Sequence, residues 1–470
     1  MENTFAAFKL YGLMMTNKKK QCSLPDYHGL KWLDDSLPIA LPETTRDWLD
    51  CSKHGLRQRK TSGLKSRSTV KSLLQSHDWQ WPHRSTVFIS DLHADGDALL
   101  ASLVASGGIK KTGKDDYHFK LTEQGRSMLF IFGGDFFDKG PSNLRLLRVL
   151  HMFIKTGARV RLLAGNHDIR VLFGMRSVGQ TEDPHNGHFF IRMGAKAIPF
   201  LLEIRDEYLS DNNALKAMPD EETCIKRLFP TEAWWQQFPE MASWVMPPES
   251  ISREMAKIKH KAERFEMLCE QAGLSLREAY AAAVKWQQLF LSQEGEFYWF
   301  FKRMRLAYRK GSFLFVHAGI DDRIAVMLRD NNTGFLNQQF KQQIQGSPFE
   351  FYYGPVANTI RTKYRTIDMP LSGIGAKQVR DAGIHAIVHG HRNLHRGQRI
   401  ALRKKLLHFE CDVTLDRHSR RKEGLRGAGA GVTLVQPSGY ILGISTDYRD
   451  IKVFHPESIL ADAGDFHATK

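Results

Sequence analysis

Hydrophobic and polar positions change their rhythm near Thr86. Before it, residues 1 to about 84 show no sustained periodicity. After it, short apolar runs alternate with helical patterns. Residues 86–90 read as a strand, 95–105 as a helix and 128–132 as the next strand. Leu144, Leu147, Val149, Leu150 and Phe153 recur at helical spacing. They predict a helix from Pro141 to about Lys155, with Pro141 in the first turn, where its missing N–H costs nothing. Residues 159–163 are a third strand. Strand–helix–strand alternation predicts an α/β fold, with ligands bound at the carboxyl ends of the strands.

Between residues 185 and 310 the pattern turns helical. Residues 252–272, 276–291 and 296–310 carry helical periodicity and are rich in Ala, Glu, Lys and Leu. Segment 215–250, with Trp234, Trp235, Trp244 and the pair Pro247-Pro248, is expected to pack as irregular structure. The α/β pattern resumes at 313–316. A helix follows at 373–382, a strand at 385–388, and a terminal strand series at 398–402, 405–411, 431–436 and 439–445. The organisation so predicted is a basic, partly flexible extension over 1–84, an α/β part over 85–184, a helical insert over 185–310 and a second α/β part over 311–470.

Composition adds limits. The chain is 42% hydrophobic and 25% charged, ordinary for a soluble globular protein. No apolar run approaches the roughly 20 residues needed to cross a bilayer, so no membrane partner is expected. The apolar stretch from Phe5 to Met15 has no basic segment before it and is followed by Lys18-Lys19-Lys20, which makes a poor signal peptide. Five scattered cysteines without a CxxC pair argue against a disulfide framework and suit a reducing, cytoplasmic location. The net charge of +16 favours polyanions but does not choose among nucleic acid, anionic membrane and phosphorylated substrate. It concentrates in 52–72, read as a flexible linker, and in 392–426, where eleven Lys and Arg face four acids.

Five short motifs carry the chemistry: Ser90-Asp91-Leu92-His93, Gly134-Asp135-Phe136-Phe137-Asp138, Gly165-Asn166-His167-Asp168, Val316-His317-Ala318-Gly319 and His389-Gly390-His391. Each presents Asp, Asn or His just past an apolar run. Carboxylate, carboxamide and imidazole are the ligands that divalent cations take. Asp91 and His93 alternate on extended chain and can point to one face. Asp135 is the natural bridging carboxylate, and Asn166 offers a neutral oxygen. One histidine after a strand is usually structural. Five such pieces together predict a two-metal centre.

The order DLHAD, GGDFFDKGP, GNHD, FVHAG and VHGH resembles the calcineurin-like metallophosphoesterase superfamily. Within it, the chain is most similar to the phosphoprotein phosphatase branch, especially the bacterial-type (Shewanella-like) phosphatases. The resemblance covers about residues 86–175 and 311–412. It implies an α/β sandwich of two mixed sheets flanked by helices, with the long helical insert outside it. It implies that Asp91, His93 and Asp135 hold one divalent cation and that Asp135, Asn166, His317 and His391 hold a second, each Mn, Fe or Zn. His167, oriented by Asp138, would give the leaving group its proton.

Two such cations about 3.5–4 Å apart lower the pKa of a shared water and clamp phosphoryl oxygens. The implied reaction is hydrolysis of a phosphomonoester, on a protein or a small molecule, by attack of a bridging hydroxide. Lys139 stands where the family usually has Arg. Arg361 resembles its second phosphate-binding Arg, with Arg365 as the competitor. Ser90 and Ala94 replace the usual Gly, and Asn393 stands where some members have a further His. His389 and His395 are expected to stay outside the metal shell. Lys139 and the basic segment motivate an alternative: a phosphodiesterase, nuclease or dinucleoside-polyphosphate hydrolase on the same site. Nucleic acid is the less favoured partner. A third reading is a non-catalytic binding module that works through the insert.

Overall fold

The structure is a computed structural model that describes residues 22–33, 36–37, 40–51, 67–179, 184–210 and 213–461. The stretch Phe5–Met15 and most of the basic segment 52–72 lie outside the described residues. The strands, in chain order, are β1 (Thr44–Asp47), β2 (Thr86–Ile89), β3 (Ile109–Lys111), β4 (Phe119–Leu121), β5 (Leu129–Phe132), β6 (Arg159–Leu163), β7 (Met304–Arg305), β8 (Ala307–Lys310), β9 (Phe313–Val316), β10 (Ala386–His389), β11 (Arg399–Arg403), β12 (Leu406–Glu410), β13 (Gly431–Gln436), β14 (Tyr440–Ser445) and β15 (Asp450–Phe454). Two mixed sheets result, one in the order β1-β15-β14-β13-β2-β5-β6-β7 and one in the order β11-β12-β10-β9-β8; β3 and β4 form a separate hairpin.

The central strands are continuous apolar runs because both of their faces are buried. Phe88, Ile131, Phe313, Phe315, Val388 and Phe409 fill the space between the sheets. The alternate residues Val87, Phe130 and Phe132 face helices on the outer side of the larger sheet. Leu314, Val316 and Ile387 pack on Ile324, Leu328 and Val379 of the helices Asp322–Asp330 and Gly373–Asp381. The result is the expected sandwich of two mixed sheets flanked by helices.

Several elements differ from the sequence reading. Pro141 precedes its helix rather than opening it. The helix is Asn143–Lys155, and Ser142 caps it by accepting the Arg145 N–H at 3.0 Å. Of residues 296–310, only Tyr298–Arg303 is helical. The rest pairs with sheet edges, β7 against β6 and β8 against β9, so tertiary pairing outweighs local propensity. Segment 215–250 is not irregular: it holds helices Glu221–Leu228 and Glu232–Ser243, capped by Asp220 and Thr231, with Trp234 buried. Pro248 opens the long helix Pro248–Gln271. The described part of residues 1–84 joins the fold. β1 pairs parallel with β15, and helix Arg67–Gln75 puts Val70 and Leu74 into the core between the sheets.

Candidate metal centre

β2, β5 and β6 are parallel neighbours in one sheet, and β9 and β10 are parallel neighbours in the other. Their carboxyl ends carry the five motifs to one place. The backbone there is bent hard. Of eleven non-glycine residues with positive φ among those described, seven belong to the motif loops: Asp91, His93, Ala94, Asp135, Asp138, Lys139 and His391. Such conformations cost about 1–2 kcal/mol each and persist where the surroundings impose them. Close approach explains two glycines. A Cβ on Gly165 would lie 2.2 Å from Asp135 Oδ1, and one on Gly390 would lie 2.0 Å from Asp91 Oδ2. Ala94 takes a φ of 58° without being glycine.

His93, Asp135 and His167 form one group of potential ligands and Asp135, His317 and His391 another; within each, the ligand atoms lie within 4.8 Å of one another. His93 Nδ1 donates to the Phe137 carbonyl at 3.1 Å and His317 Nδ1 to the Gly133 carbonyl at 2.8 Å. Each ring is thereby set with its Nε2 lone pair toward the centre, the arrangement that metal-ligating histidines use. His317 Nε2 then faces two acceptors, Asn166 Oδ1 at 3.2 Å and Asp135 Oδ1 at 3.5 Å, and the ring nitrogen His391 Nδ1 at 3.2 Å. His391 Nε2 is buried without a hydrogen-bond partner. Lone pairs facing lone pairs in a buried place call for a cation between them, so these residues fit a divalent metal.

Asp91 stands outside both groups. Ser90 Oγ donates to its Oδ2 at 2.5 Å and the His391 N–H at 3.0 Å, which ties it to the loop of the last motif. Burial and the Asp135 charge push the Asp91 carboxyl up to about 7. Burial works the same way on Asp135, but the surrounding histidines outweigh it and hold that carboxyl well below the usual range. Burial keeps His93 and His391 neutral, well below the ordinary imidazole range.

His167 Nδ1 lies 2.8 Å from Asp138 Oδ2. Its Nε2 is 3.8 Å from Asp135 Oδ2, as near as His93 Nε2 at 3.9 Å. Burial works to raise Asp138, but the His167 hydrogen bond and the Arg170 charge hold it at about 2. Burial pushes His167 down to about 4, opposed by Asp135 and Asp138 and aided by Arg170. Lys139 Nζ approaches His93 Nε2 to 2.7 Å, and the Lys139 carbonyl meets His418 Nδ1 at 2.5 Å.

Two residues of this place were missed in the sequence. Asp168 accepts the N–H groups of Gly165, Asp135 and Phe136 at 2.8–2.9 Å and so clamps the second motif to the third. Its position three residues past Gly165, at a helix start, was the available signal. Arg170 donates to Asp138 and lies 2.7 Å from His167 Nδ1. It shares a helix face with His167 at i+3.

Arg361 is not brought to this cluster by any contact. Its guanidinium donates to the Tyr352 and Gly354 carbonyls and to Asn358 Oδ1. Arg365 pairs with Asp368 instead. His389 Nδ1 faces the Gly390 carbonyl and His395 pairs with Glu423, so neither joins the ligand groups. The basic segment is partly neutralised. Arg392, Arg399 and Arg403 meet Glu410, Arg417 meets Asp95 and Asp97, and the buried Arg420 meets Asp447.

Among the described residues no helix is long and apolar enough to cross a membrane, and all five cysteines are free. No curated protein matches the sequence. Two solved structures share a broad likeness. The cold-active protein-tyrosine phosphatase of a psychrophilic Shewanella is 13% identical, with a TM-score of 0.38, over 79% of this chain and 80% of that one. A protein serine/threonine phosphatase from Saccharomyces cerevisiae, described as similar to human phosphatase PP5, is 11% identical, with a TM-score of 0.35, over 83% and 86%. The family model for calcineurin-like phosphoesterase matches residues 85–267. That span holds the first three motifs and runs into the helical stretch, while His317 and His391 lie beyond it. Residues 85–267 thus match a calcineurin-like phosphoesterase domain, the domain of a family of metal-dependent phosphoester hydrolases.

Proposed function

We propose that this protein hydrolyses phosphomonoesters at a two-metal centre. Asp91, His93 and Asp135 would hold one cation, and Asp135, Asn166, His317 and His391 the other, as Mn, Fe or Zn. Divalent cations bound there supply an acidified water and neutralise phosphoryl charge. The observation that carries the reading is His317 Nε2, set between the acceptors Asn166 Oδ1 and Asp135 Oδ1 and beside His391 Nδ1. His167 would hold the proton for the leaving oxygen, oriented through Nδ1 by Asp138. Lys139 would attract the phosphoryl oxygens as a point charge rather than a bidentate fork. We assign Arg361 no such part, because bonds to the Tyr352 and Gly354 carbonyls and to Asn358 Oδ1 tie its guanidinium to its own loop. Helices between residues 185 and 310 would act as a cap beside the centre.

The alternative substrates are phosphodiesters, nucleic acid and dinucleoside polyphosphates. Five cations of the basic segment are paired within the chain, three of them on the one carboxylate of Glu410. The test is a panel of esters with Mn, Fe or Zn added: 4-nitrophenyl phosphate, bis-(4-nitrophenyl) phosphate, a dinucleoside tetraphosphate and single-stranded nucleic acid. Turnover of the monoester alone is expected. Activity confined to the diester or the nucleic acid would overturn the assignment.

A further inference from the structure

The chain treats the two halves of the centre differently. At one half, His317 Nε2 meets Asn166 Oδ1, Asp135 Oδ1 and the ring nitrogen His391 Nδ1, and His391 Nε2 is buried without a hydrogen-bond partner. Among the described residues no Lys or Arg side chain bonds to either ring. At the other half the chain supplies a cation of its own. His93 Nδ1 donates to the Phe137 carbonyl at 3.1 Å, which leaves Nε2 as the acceptor. Lys139 Nζ donates to that Nε2 at 2.7 Å. An imidazole nitrogen has one lone pair, so Lys139 and a metal ion exclude each other there.

The fold brings Lys139 to this place through its backbone. Asp138 and Lys139 both take a φ of 69°. The Gly140 N–H returns to the Asp138 carbonyl at 2.9 Å. A Cβ on Gly140 would lie 1.9 Å from the His93 carbonyl oxygen, so this loop rests directly on the His93 backbone. On the far side, the Lys139 carbonyl accepts from His418 Nδ1 at 2.5 Å. The backbone is thus held from both sides, while the four-carbon stem of a lysine stays free to turn.

We propose that Lys139 is an internal competitor for the His93 half of the centre. Divalent cations then fill the His317–His391 half first, and fill the His93 half only as Lys139 swings off Nε2. The inference rests on the two-metal reading and adds an order of loading to it. The side chain so displaced keeps its charge beside the centre, where it can meet a phosphoryl oxygen. If Lys139 holds His93 in about nine molecules of ten, the apparent affinity of that half falls about tenfold.

The experiment counts bound metal rather than turnover. The full chain, stripped with a chelator, is dialysed against a series of free Mn2+ concentrations, beside its K139M and H93A variants; K139A replaces K139M if that variant does not fold. The unmodified protein should bind two Mn2+ in steps about tenfold or more apart, the second appearing only in K139M if it lies beyond the range. K139M should tighten the weaker step about tenfold and the stronger by less than about twofold. H93A should lose the weaker step and keep the stronger. Two equal steps in the unmodified protein overturn the competitor and leave the two-metal centre standing. So does a K139M curve that is unchanged or tightened alike at both steps, and so does loss of the stronger step in H93A. A single step in both the unmodified protein and K139M, or no bound Mn2+ in either, fails the two-metal reading itself and the inference with it.

Discussion

Two buried clusters of charge sit side by side and are built on opposite rules. Glu410 lies opposite His389 across β10 and β12, two residues from His391. Three arginines, Arg392, Arg399 and Arg403, close on its carboxylate. The chain supplies each partner there. At the candidate centre His317 Nε2, Asn166 Oδ1 and Asp135 Oδ1 are turned toward one another, on a backbone bent into left-handed conformations. A charge answered by the chain is architecture; acceptors left facing one another, at a cost in strain, await a ligand.

The largest effect expected from this contrast is on turnover. Asp135→Asn removes the carboxylate shared by both ligand groups. It should lower the rate on 4-nitrophenyl phosphate with Mn by about a thousandfold or more, while thermal unfolding without metal shifts little. Unchanged turnover would erase the distinction between the two clusters.

Glu410→Gln should do the reverse. Three buried or half-buried guanidinium groups lose their counter-charge, which costs about 3–5 kcal/mol in a denaturant melt, with activity per folded molecule kept. The pH dependence has the same source. Burial works to raise Glu410, but Arg403, His389, Arg399 and Arg392 outweigh it and hold it at about 2, against an ordinary 4.5. A lowered folded-state pKa gives stability that is fully present above pH 4.5 and lost as pH falls through about 2, worth about 3 kcal/mol at most. The Gln variant should flatten that part of the stability curve.

The smaller change is at the edge of the centre. Arg170→Gln leaves Asp138 and His167 in contact but takes away the cation that fixes both. A fall in kcat of about tenfold is expected. The Arg170 charge works to lower His167, so its loss should move the His167 limb of the pH–rate profile to higher pH. A profile unmoved beside a lowered kcat would reduce Arg170 to packing.

What the sequence made legible follows from how far each interaction reaches. Asp91, His93, Asp135, Asn166, His317 and His391 each lie within four residues of a strand's carboxyl end, so short windows carried them. Asp168 acts on amides more than thirty residues away, and nothing local says so beyond its place at a helix start. The sheet edges failed for the same reason. Residues 304–310 are strand only because β6 and β9 offer them partners, and β1 exists by pairing with β15 at the other end of the chain. β15 itself, Asp-Ile-Lys-Val-Phe, alternates polar and apolar and could have been read. Trp234 and Trp235 suggested irregular packing, whereas Thr231 caps a helix that buries Trp234.

Arg361 is where motif and geometry part most clearly, and it is the mildest test. By motif it should grip the phosphate. In the fold its Nη1 donates to the Tyr352 carbonyl at 2.5 Å, its Nη2 to Gly354 at 3.2 Å and its Nε to Asn358 Oδ1 at 3.0 Å. These bonds close the end of helix Pro348–Tyr353 against helix Asn358–Arg361. Asn358 in turn donates to the buried Asp321 at 2.5 Å. Three of the five N–H donors are so engaged, which holds the guanidinium in place, and a substrate would have to come to it. Arg361→Ala should therefore cost about 1–2 kcal/mol of stability and leave KM for 4-nitrophenyl phosphate within about twofold. A KM raised about tenfold at unchanged stability would return Arg361 to the substrate. It would also mean that a side chain tied into the chain by three bonds can still serve chemistry, which would blur the contrast between the two clusters.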